Sequence, residues 1–179
     1  MIPDPEEERR EILRRYKELL KYAYPLVPDR EERKQIKKAF QIAVDAHKEM
    51  RRKSGEPYIY HPIAVAQITV QEMGLGATSV ICALLHDVVE DTELTLEDME
   101  KFFGPAVAKI IDGLTKISGV FDNTKSIQAE NFRKIVLTLS EDIRVILIKI
   151  ADRLHNMRTL EFVPPESRRR IAEETLDIY

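Results

Sequence analysis

The chain has 179 residues, of which 44% are apolar and 33% are charged, and its formal net charge is −3. This length suits one domain with a proper core, and the composition is that of an ordinary globular protein. The negative balance argues against a general binder of nucleic acids or membrane surfaces, although local lysines and arginines could still bind a small anion.

The sequence carries no targeting or disulfide signal. Its first ten residues, MIPDPEEERR, are acidic and lack the basic start and apolar core of a signal peptide. No apolar run approaches the roughly 18 residues of a membrane span. Cys82 is the only cysteine, which excludes an internal disulfide and a cysteine-rich zinc site. We therefore expect a cytoplasmic protein that binds neither nucleic acid nor membrane.

Apolar residues recur at helical spacing along most of the chain, and helix-capping and helix-breaking residues separate the runs. In the first half of the chain, helices are predicted at about Pro5 to Tyr24, Asp29 to Arg51, Pro62 to Met73 and Thr78 to Glu90. A short helix capped by Thr95 and Asp98 follows and stops at Gly104, and Pro105 starts the next. Two more are predicted at about Ile127 to Leu139 and Glu141 to Met157, and a last one after Pro164 and Pro165. The segment TKISGVFDNTKS, residues 115–126, is expected to be an exposed, mobile connection. No convincing strand pair is present in the sequence. The predicted fold class is all-α.

The last helix, ESRRRIAEETLDIY, runs to Tyr179 without a stop signal. Chains usually finish with a frayed polar tail or a cap. We therefore expect the chain to be the N-terminal piece of a longer protein.

The motif LLHDVVEDT, residues 84–92, places four ionisable side chains in an otherwise apolar run. On a continuous helix they share one face less than half the circumference wide. They are His86, Asp87, Glu90 and Asp91. No lysine or arginine pairs them on that face, and acids at a helix C-terminus oppose the helix dipole. From this motif alone, an exposed acidic helix end and a metal or acid–base site both remain open.

A second motif, VILIKIADRLHNM, interrupts a strongly apolar helix with polar groups. Lys149, Asp152 and Asn156 have the spacing of one helix face. A buried pair between Asp152 and Arg153 that only stabilises the fold is the alternative to a functional role. For His155 the favoured interpretation is a hydrogen-bonded core histidine or one that supports a ligand.

A third candidate, His61, directly precedes Pro62 at a predicted helix entrance, where it could cap the helix or turn towards a neighbouring helix end. Together with His86, Asp87 and Asp152 it supplies two imidazoles and two carboxylates from three helices. This mixed set suits Mn, Fe, Co or Zn. The order His…His-Asp…Asp resembles the pattern of the HD metallophosphohydrolase superfamily.

The loop RRKSGEPYIYHP leads into His61 with a basic cluster. Solvent exposure is the ordinary interpretation of such a loop, and we accept it for Arg51. Beside a metal ligand, however, the side chains of Arg52 and Lys53 suit phosphate groups, and an arginine can also stack on a base.

Together, RRKSGEPYIYHP, LLHDVVEDT and IKIADRLHNMRTL resemble the hydrolase domain of the RelA/SpoT homologue family of alarmone synthetase-hydrolases, from about Ala39 to the end of the chain. The resemblance implies a single-domain HD-type helical bundle with one Mn²⁺ ion at its centre. It places an N-terminal helix in residues 1–28 and the HD domain in residues 29–179. The implied reaction removes the 3′-pyrophosphate of ppGpp or pppGpp, giving GDP or GTP plus pyrophosphate, in the stringent response.

The matching motifs also imply roles for individual residues. The implied metal ligands are His61, His86, Asp87 and Asp152. The implied catalytic carboxylates, one turn beyond the His-Asp pair, are Glu90 and Asp91. The implied nucleotide contacts are Arg52, Lys53 and Ser54 at the guanine end, with Asn156 and Thr159.

The intact HDVVEDT sequence predicts an active hydrolase, because family members that only synthesise alarmone typically lose residues there. Long members continue into synthetase and regulatory domains, so the parent is expected also to be a GTP pyrophosphokinase, a reaction that this piece could not perform. A small stand-alone alarmone hydrolase is the other possibility. Two further functions stay open: an HD phosphohydrolase acting on another nucleotide, and a regulatory domain that binds nucleotide without turnover.

Overall fold

A computed structural model describes residues 4–121 and 141–178 of the chain. Its helices are α1 (Pro5–Leu26), α2 (Arg30–Ala46), α3 (Tyr60–Gln71), α4 (Ala77–Leu85), α5 (Val88–Asp91), α6 (Leu96–Phe103), α7 (Pro105–Phe121), α8 (Ile143–Arg158) and α9 (Pro165–Ile178), with a 3₁₀ turn at Leu160–Phe162. Within these two ranges there is no β-strand, only an isolated antiparallel bridge between Arg51 and Pro57. The all-α prediction is confirmed. None of the described helices is both long and apolar enough to cross a membrane.

Helices α3 and α4 form the centre of the domain. Every residue of α4 from Ser79 to Leu85 is buried, and most of α3 is buried as well. Helix α3 packs against α1, α4 and α8, and α4 also contacts α2 and α7. The polar side chains of His61, Thr69 and Ser79 on these helices therefore lie inside the protein rather than on a solvated face.

Helix α1 closes one side of the same core. Leu19, Ala23 and Val27 are fully buried. The Tyr16 ring stacks on Phe40 of α2 with the ring centroids 3.8 Å apart. Helix α1 is therefore part of the hydrophobic core and not a separate appendage.

Helices α1 and α2 start where the predicted caps place them, but neither helix ends where the sequence predicts. The carboxylates of Asp4 and Asp29 accept backbone N–H bonds of their own first turns. Helix α1 continues through Pro25 to Leu26, because the Arg33 guanidinium donates to the carbonyls of Tyr24 and Val27 and satisfies the end of the helix.

Helix α2 ends at Ala46, before the predicted Arg51, and a tight hairpin follows. The backbone N–H of Arg52 donates to the carbonyl of Glu56 at 2.9 Å, and Gly55 turns the chain with a φ of +87°. A side chain at that φ would be strained, so the glycine suits this turn. Helix α3 then starts at Tyr60, two residues before the predicted Pro62, which places His61 in its first turn.

The predicted continuous helix from Thr78 to Glu90 is wrong at its centre. Helix α4 ends at Leu85 and α5 begins at Val88, with His86 and Asp87 between them. The ring Nδ1 of His86 bonds to the carbonyl of Ala83 at 2.8 Å. In a continuous helix, a carbonyl at this position would accept a hydrogen bond from a backbone N–H. The His86 imidazole therefore competes with the backbone for the Ala83 carbonyl, at the place where the helix breaks.

The predicted mobile connection at residues 115–126 is wrong for its first part, because α7 runs to Phe121 and Ile117 is buried. Residues 122–126 and the helix predicted at 127–139 lie outside the described residues. The next predicted helix is confirmed as α8, where Asp142 caps the first turn by accepting from the backbone N–H of Arg144.

We predict that Leu19→Ala will lower the free energy of unfolding by about 2–5 kcal/mol, because it leaves a cavity in the core. Leu19 is 0% exposed, whereas Leu13 on the same helix is 41% exposed and serves as the control. Leu13→Ala should change the stability by less than about 0.5 kcal/mol. Urea denaturation of both variants measures the difference, and equal losses would contradict the packing of α1 into the core.

Candidate metal centre

Three side chains from three helical segments converge beneath the helix break. One ligand atom each of His61, His86 and Asp152 lies within 4.8 Å of the other two. The Nε2 atom of His61 is 3.1 Å from Oδ1 of Asp152, and Nε2 of His86 is 3.9 Å from the same oxygen. Two imidazoles and a carboxylate around one point are suitable ligands for a transition-metal ion.

The His86 ring is oriented by its own helix. It is 1% exposed, and Nδ1 donates to the Ala83 carbonyl. Its Nε2 atom is buried without a hydrogen-bond partner among the described residues. Oδ2 of Asp87 lies 2.9 Å away, but outside hydrogen-bonding geometry. A buried nitrogen left without a partner is costly, and a metal ion at this point would compensate it.

Asp87 lies beside this group of three rather than within it. Its Oδ2 atom is 2.9 Å from Nε2 of His86 and 3.9 Å from Nε2 of His61. The Tyr58 hydroxyl donates to the same oxygen at 2.5 Å. Tyr58, which belongs to the basic loop of residues 51–62, thus orients Asp87 towards both imidazoles.

The electrostatics of the cluster favour ionised carboxylates. Burial by itself would raise the pKa of Asp152, but the contact with His61 and the charges of His86 and Lys149 hold that pKa below its usual range. Burial opposes the charged form of His86 as well, yet the neighbouring Asp87 raises the pKa of His86 to about 9. Burial lowers the pKa of His61. Of the two imidazoles beside the carboxylates, it is therefore His86 whose surroundings favour the charged form.

A second layer of side chains surrounds His61 and Asp152. The Nδ1 atoms of His61 and His155 are 2.8 Å apart. Arg52 places Nη1 3.1 Å from Nδ1 of His155 and donates from Nη2 to Oδ1 of Asn156 at 2.8 Å. Asn156 in turn donates to Oδ1 of Asp152 at 2.8 Å. Burial, followed by the charges of His61 and Arg52, lowers the pKa of His155 to about 3.

Glu90 and Asp91 flank the cluster from the solvent side. Both are exposed residues, and partial burial is the first cause that raises the pKa of each carboxyl. The Asp91 carboxylate lies 3.8 Å from Nε2 of His47, a buried histidine. Both carboxyls can exchange protons with solvent while remaining close to the buried groups.

A cavity of about 260 Å³ opens next to the cluster. Its lining includes the expected nucleotide contacts Arg52, Lys53, Ser54 and Thr159, together with Arg51 and the 55% exposed ring of Phe162. Asn156 does not line this cavity and lies in the second layer instead. Arg52 and Tyr58 line the cavity and also contact His61 and Asp87 of the cluster, but none of the four implied metal ligands lines the cavity itself.

Three residues at the site were not predicted from the sequence: Tyr58, His47 and Phe162. Tyr58 and Tyr60 are two residues apart in the same loop, and nothing in the sequence indicates which of them binds Asp87. In the structure the Tyr60 ring instead lies beneath the Arg15 guanidinium, which is 4.1 Å from its centroid. His47 and Phe162 follow no motif, and only the folded chain brings them near the site.

The chain is similar to a known protein family and to a solved structure. A family model described as HD domain matches residues 39–179. A solved structure described as a metazoan orthologue of SpoT that hydrolyses ppGpp and plays a role in starvation responses matches with a TM-score of 0.62 and 32% sequence identity, covering 80% of this chain and 84% of that one.

Curated relatives are more similar in sequence but much longer. The bifunctional (p)ppGpp synthase/hydrolase SpoT of Escherichia coli is 53% identical over 147 residues, which cover 82% of this chain and 21% of the relative. The guanosine-3′,5′-bis(diphosphate) 3′-pyrophosphohydrolase of Vibrio cholerae is 52% identical over 145 residues, covering 80% and 20%. The GTP pyrophosphokinase rsh of Brucella melitensis is 47% identical over 145 residues, covering 80% and 19%.

The chain therefore spans about a fifth of the length of these curated relatives. The family model covers most of the chain, and the predicted HD-type helical domain is confirmed. The chain belongs to the HD domain family, and within that family to the RelA/SpoT homologues.

Proposed function

We propose that this chain is a metal-dependent pyrophosphohydrolase that removes the 3′-pyrophosphate of ppGpp and pppGpp, giving GDP or GTP plus pyrophosphate. The observation that carries the proposal is the convergence of His61, His86 and Asp152 next to a cavity lined by basic side chains. The printed names of the relatives support the choice of substrate.

The proposed ligands of the metal are His61, His86, Asp87 and Asp152, and the proposed ion is a single Mn²⁺. Asp87 is included because its Oδ2 atom contacts Nε2 of both imidazoles. When bound, a divalent cation would polarise a phosphoryl oxygen and lower the pKa of a water molecule. Nε2 of His47 is also buried without a partner, but among the described residues it is Nε2 of His86 that lies with ligand atoms of His61 and Asp152, and this convergence supports the assignment.

The proposed substrate contacts are Arg52, Lys53, Ser54, Asn156 and Thr159. Four of them line the cavity, where the guanidinium and ammonium groups suit the phosphates or the base of a guanine nucleotide. Asn156 is placed to act indirectly, because its amide bonds to Arg52 and Asp152.

The proposed proton-transfer groups are Glu90 and Asp91. In the reaction, the oxygen of water forms a bond to the phosphorus attached to the ribose 3′-oxygen, and the bond from that phosphorus to the 3′-oxygen breaks. One carboxylate takes a proton from the water, and a carboxyl of the same pair gives a proton to the 3′-oxygen as it leaves, so that no net proton is gained or lost by the pair. Partial burial raises the pKa of each carboxyl from its ordinary value, a shift in the direction that suits a proton-transfer group.

We also propose the wider setting of the domain. Residues 29–179 would form the HD unit, with residues 1–28 as its N-terminal helix, in a cytoplasmic protein of the stringent response. The longer relatives include proteins named as synthases, so the parent would carry synthetase and regulatory domains and would also be a GTP pyrophosphokinase.

We predict that Mn²⁺ will raise the melting temperature of the chain by several degrees and that EDTA will reverse the shift. A ligand at a hundredfold excess over its Kd stabilises by about 2.7 kcal/mol. His86→Ala should abolish the shift. His47→Ala is a matched control, because His47 is also 1% exposed and its Nδ1 also bonds to a backbone carbonyl. If both variants kept the full shift, His86 would not be a ligand.

We predict that the chain with Mn²⁺ will convert ppGpp into GDP and pyrophosphate and that EDTA will abolish the conversion. Product analysis by anion-exchange chromatography measures both products. A panel that includes dNTPs and cyclic dinucleotides tests for another substrate. Binding of ppGpp by calorimetry without any product would indicate a regulatory domain and would contradict the proposed reaction.

We predict that Glu90→Gln or Asp91→Asn will lower kcat by about 10²–10⁴-fold, the usual range for losing a proton-transfer group. The Mn²⁺-dependent melting shift should remain, since neither side chain is a proposed ligand. Glu93→Gln, an exposed acid just beyond α5, is the control and should retain full kcat. Unchanged kcat in both test variants would exclude the two carboxyls from proton transfer.

A further inference from the structure

The hydrogen bonds around His61 restrict which of its ring nitrogens can bind a metal. In a neutral imidazole, one nitrogen carries the proton and the other presents a lone pair. Nε2 of His61 lies towards Asp152 and Asp87 at the centre of the cluster. For Nε2 to coordinate a cation, the proton must therefore lie on Nδ1, and this N–H requires an acceptor.

Among the described residues, two groups lie within hydrogen-bonding distance of Nδ1 of His61. They are Nδ1 of His155 at 2.8 Å and Nη1 of Arg52 at 3.2 Å. A guanidinium has five N–H donors and no acceptor. His155 is therefore the group that can accept the proton of His61.

Arg52 lies close to His155 and supports Asp152. Its Nη1 atom is 3.1 Å from Nδ1 of His155, but that nitrogen has one lone pair, and the N–H of His61 is closer, at 2.8 Å. The Nη2 atom of Arg52 donates to Asn156 at 2.8 Å, and the amide of Asn156 is thereby oriented to donate to Asp152. The guanidinium therefore supports the cluster through Asn156.

We propose that His155 is a positioning residue for the metal: Nδ1 of His155 accepts the N–H of His61 and holds His61 in the tautomer whose Nε2 lone pair faces the ion. The inference rests on the metal centre of the proposed function, but it concerns a residue outside the four proposed ligands.

The test is calorimetric titration of Mn²⁺ into EDTA-treated full chain. His155→Ala should weaken Mn²⁺ binding by about 10–100-fold, as is typical for loss of a group that orients a ligand. His155→Asn should retain most of the affinity, because its amide oxygen can occupy the position of Nδ1. His155→Gln carries the same amide one carbon further out and should bind as weakly as the alanine variant.

Arg158→Ala is the matched control for these variants. Arg158 lies on the same helix as His155 and forms an ion pair with Glu72 just beyond the end of α3, so its loss disturbs the same helix pair outside the cluster. The Arg158→Ala variant should bind Mn²⁺ with the same affinity as the unmodified chain. Thermal melts without metal show whether each variant is folded. If His155→Ala does not fold, the difference in Mn²⁺ affinity between His155→Asn and His155→Gln tests the inference instead.

Two results would overturn the inference: a His155→Ala variant that binds Mn²⁺ as tightly as the unmodified chain, or equal affinities for the Asn and Gln variants. If the unmodified chain itself bound no Mn²⁺, the result would contradict the proposed metal centre, and the inference with it.

Discussion

The hydrogen bond from Nδ1 of His86 to the carbonyl of Ala83 is the interaction on which the candidate site depends. It accompanies the end of α4 and orients Nε2 of the ring towards His61 and Asp152. The break also turns the chain so that Asp87 faces the cluster while Glu90 and Asp91 remain exposed on α5. A continuous helix would have kept all four side chains on one stripe. The break separates the buried His86 and half-buried Asp87, suited to binding a metal, from the exposed Glu90 and Asp91, suited to moving protons.

The cluster is costly unless a cation occupies its centre. Asp87 and Asp152 are ionised groups among apolar helices, and burial of charge without compensation is strongly unfavourable. The structure compensates them partly, through the Tyr58 hydroxyl, the Asn156 amide and the nearby ammonium of Lys149. Tyr58 and Asn156 bond to Oδ2 of Asp87 and Oδ1 of Asp152, the same oxygens that face the imidazole nitrogens, whereas Lys149 lies beside Oδ2 of Asp152. The two imidazoles at these oxygens compete for a proton or share a metal. We infer that the domain tolerates this arrangement because metal binding removes the cost.

Much of the fold could be predicted from local patterns. Helical spacing of apolar residues indicated the all-α class, and the caps at Asp29 and Thr95 act within a single turn, where sequence order fixes the contact. The helix break could not be predicted in this way, because it depends on a side chain that competes with the backbone inside a buried helix. The extension of α7 was missed for a similar reason: Ile117 is buried by tertiary packing in a segment that contains polar and glycine residues. For the site, motif order predicted which side chains would come near one another, but the bond between His61 and His155 joins residues far apart in the chain, and only the folded structure shows it.

The most direct test of this account is the position of the metal itself. Crystals of the chain grown with Mn²⁺ can be measured at the manganese absorption edge, where anomalous difference density locates the ion independently of any assumed ligand. The account predicts a single strong peak within coordination distance of Nε2 of His61, Nε2 of His86 and a carboxylate oxygen of Asp152. A peak held by other residues, or no peak in a well-ordered site, would contradict it.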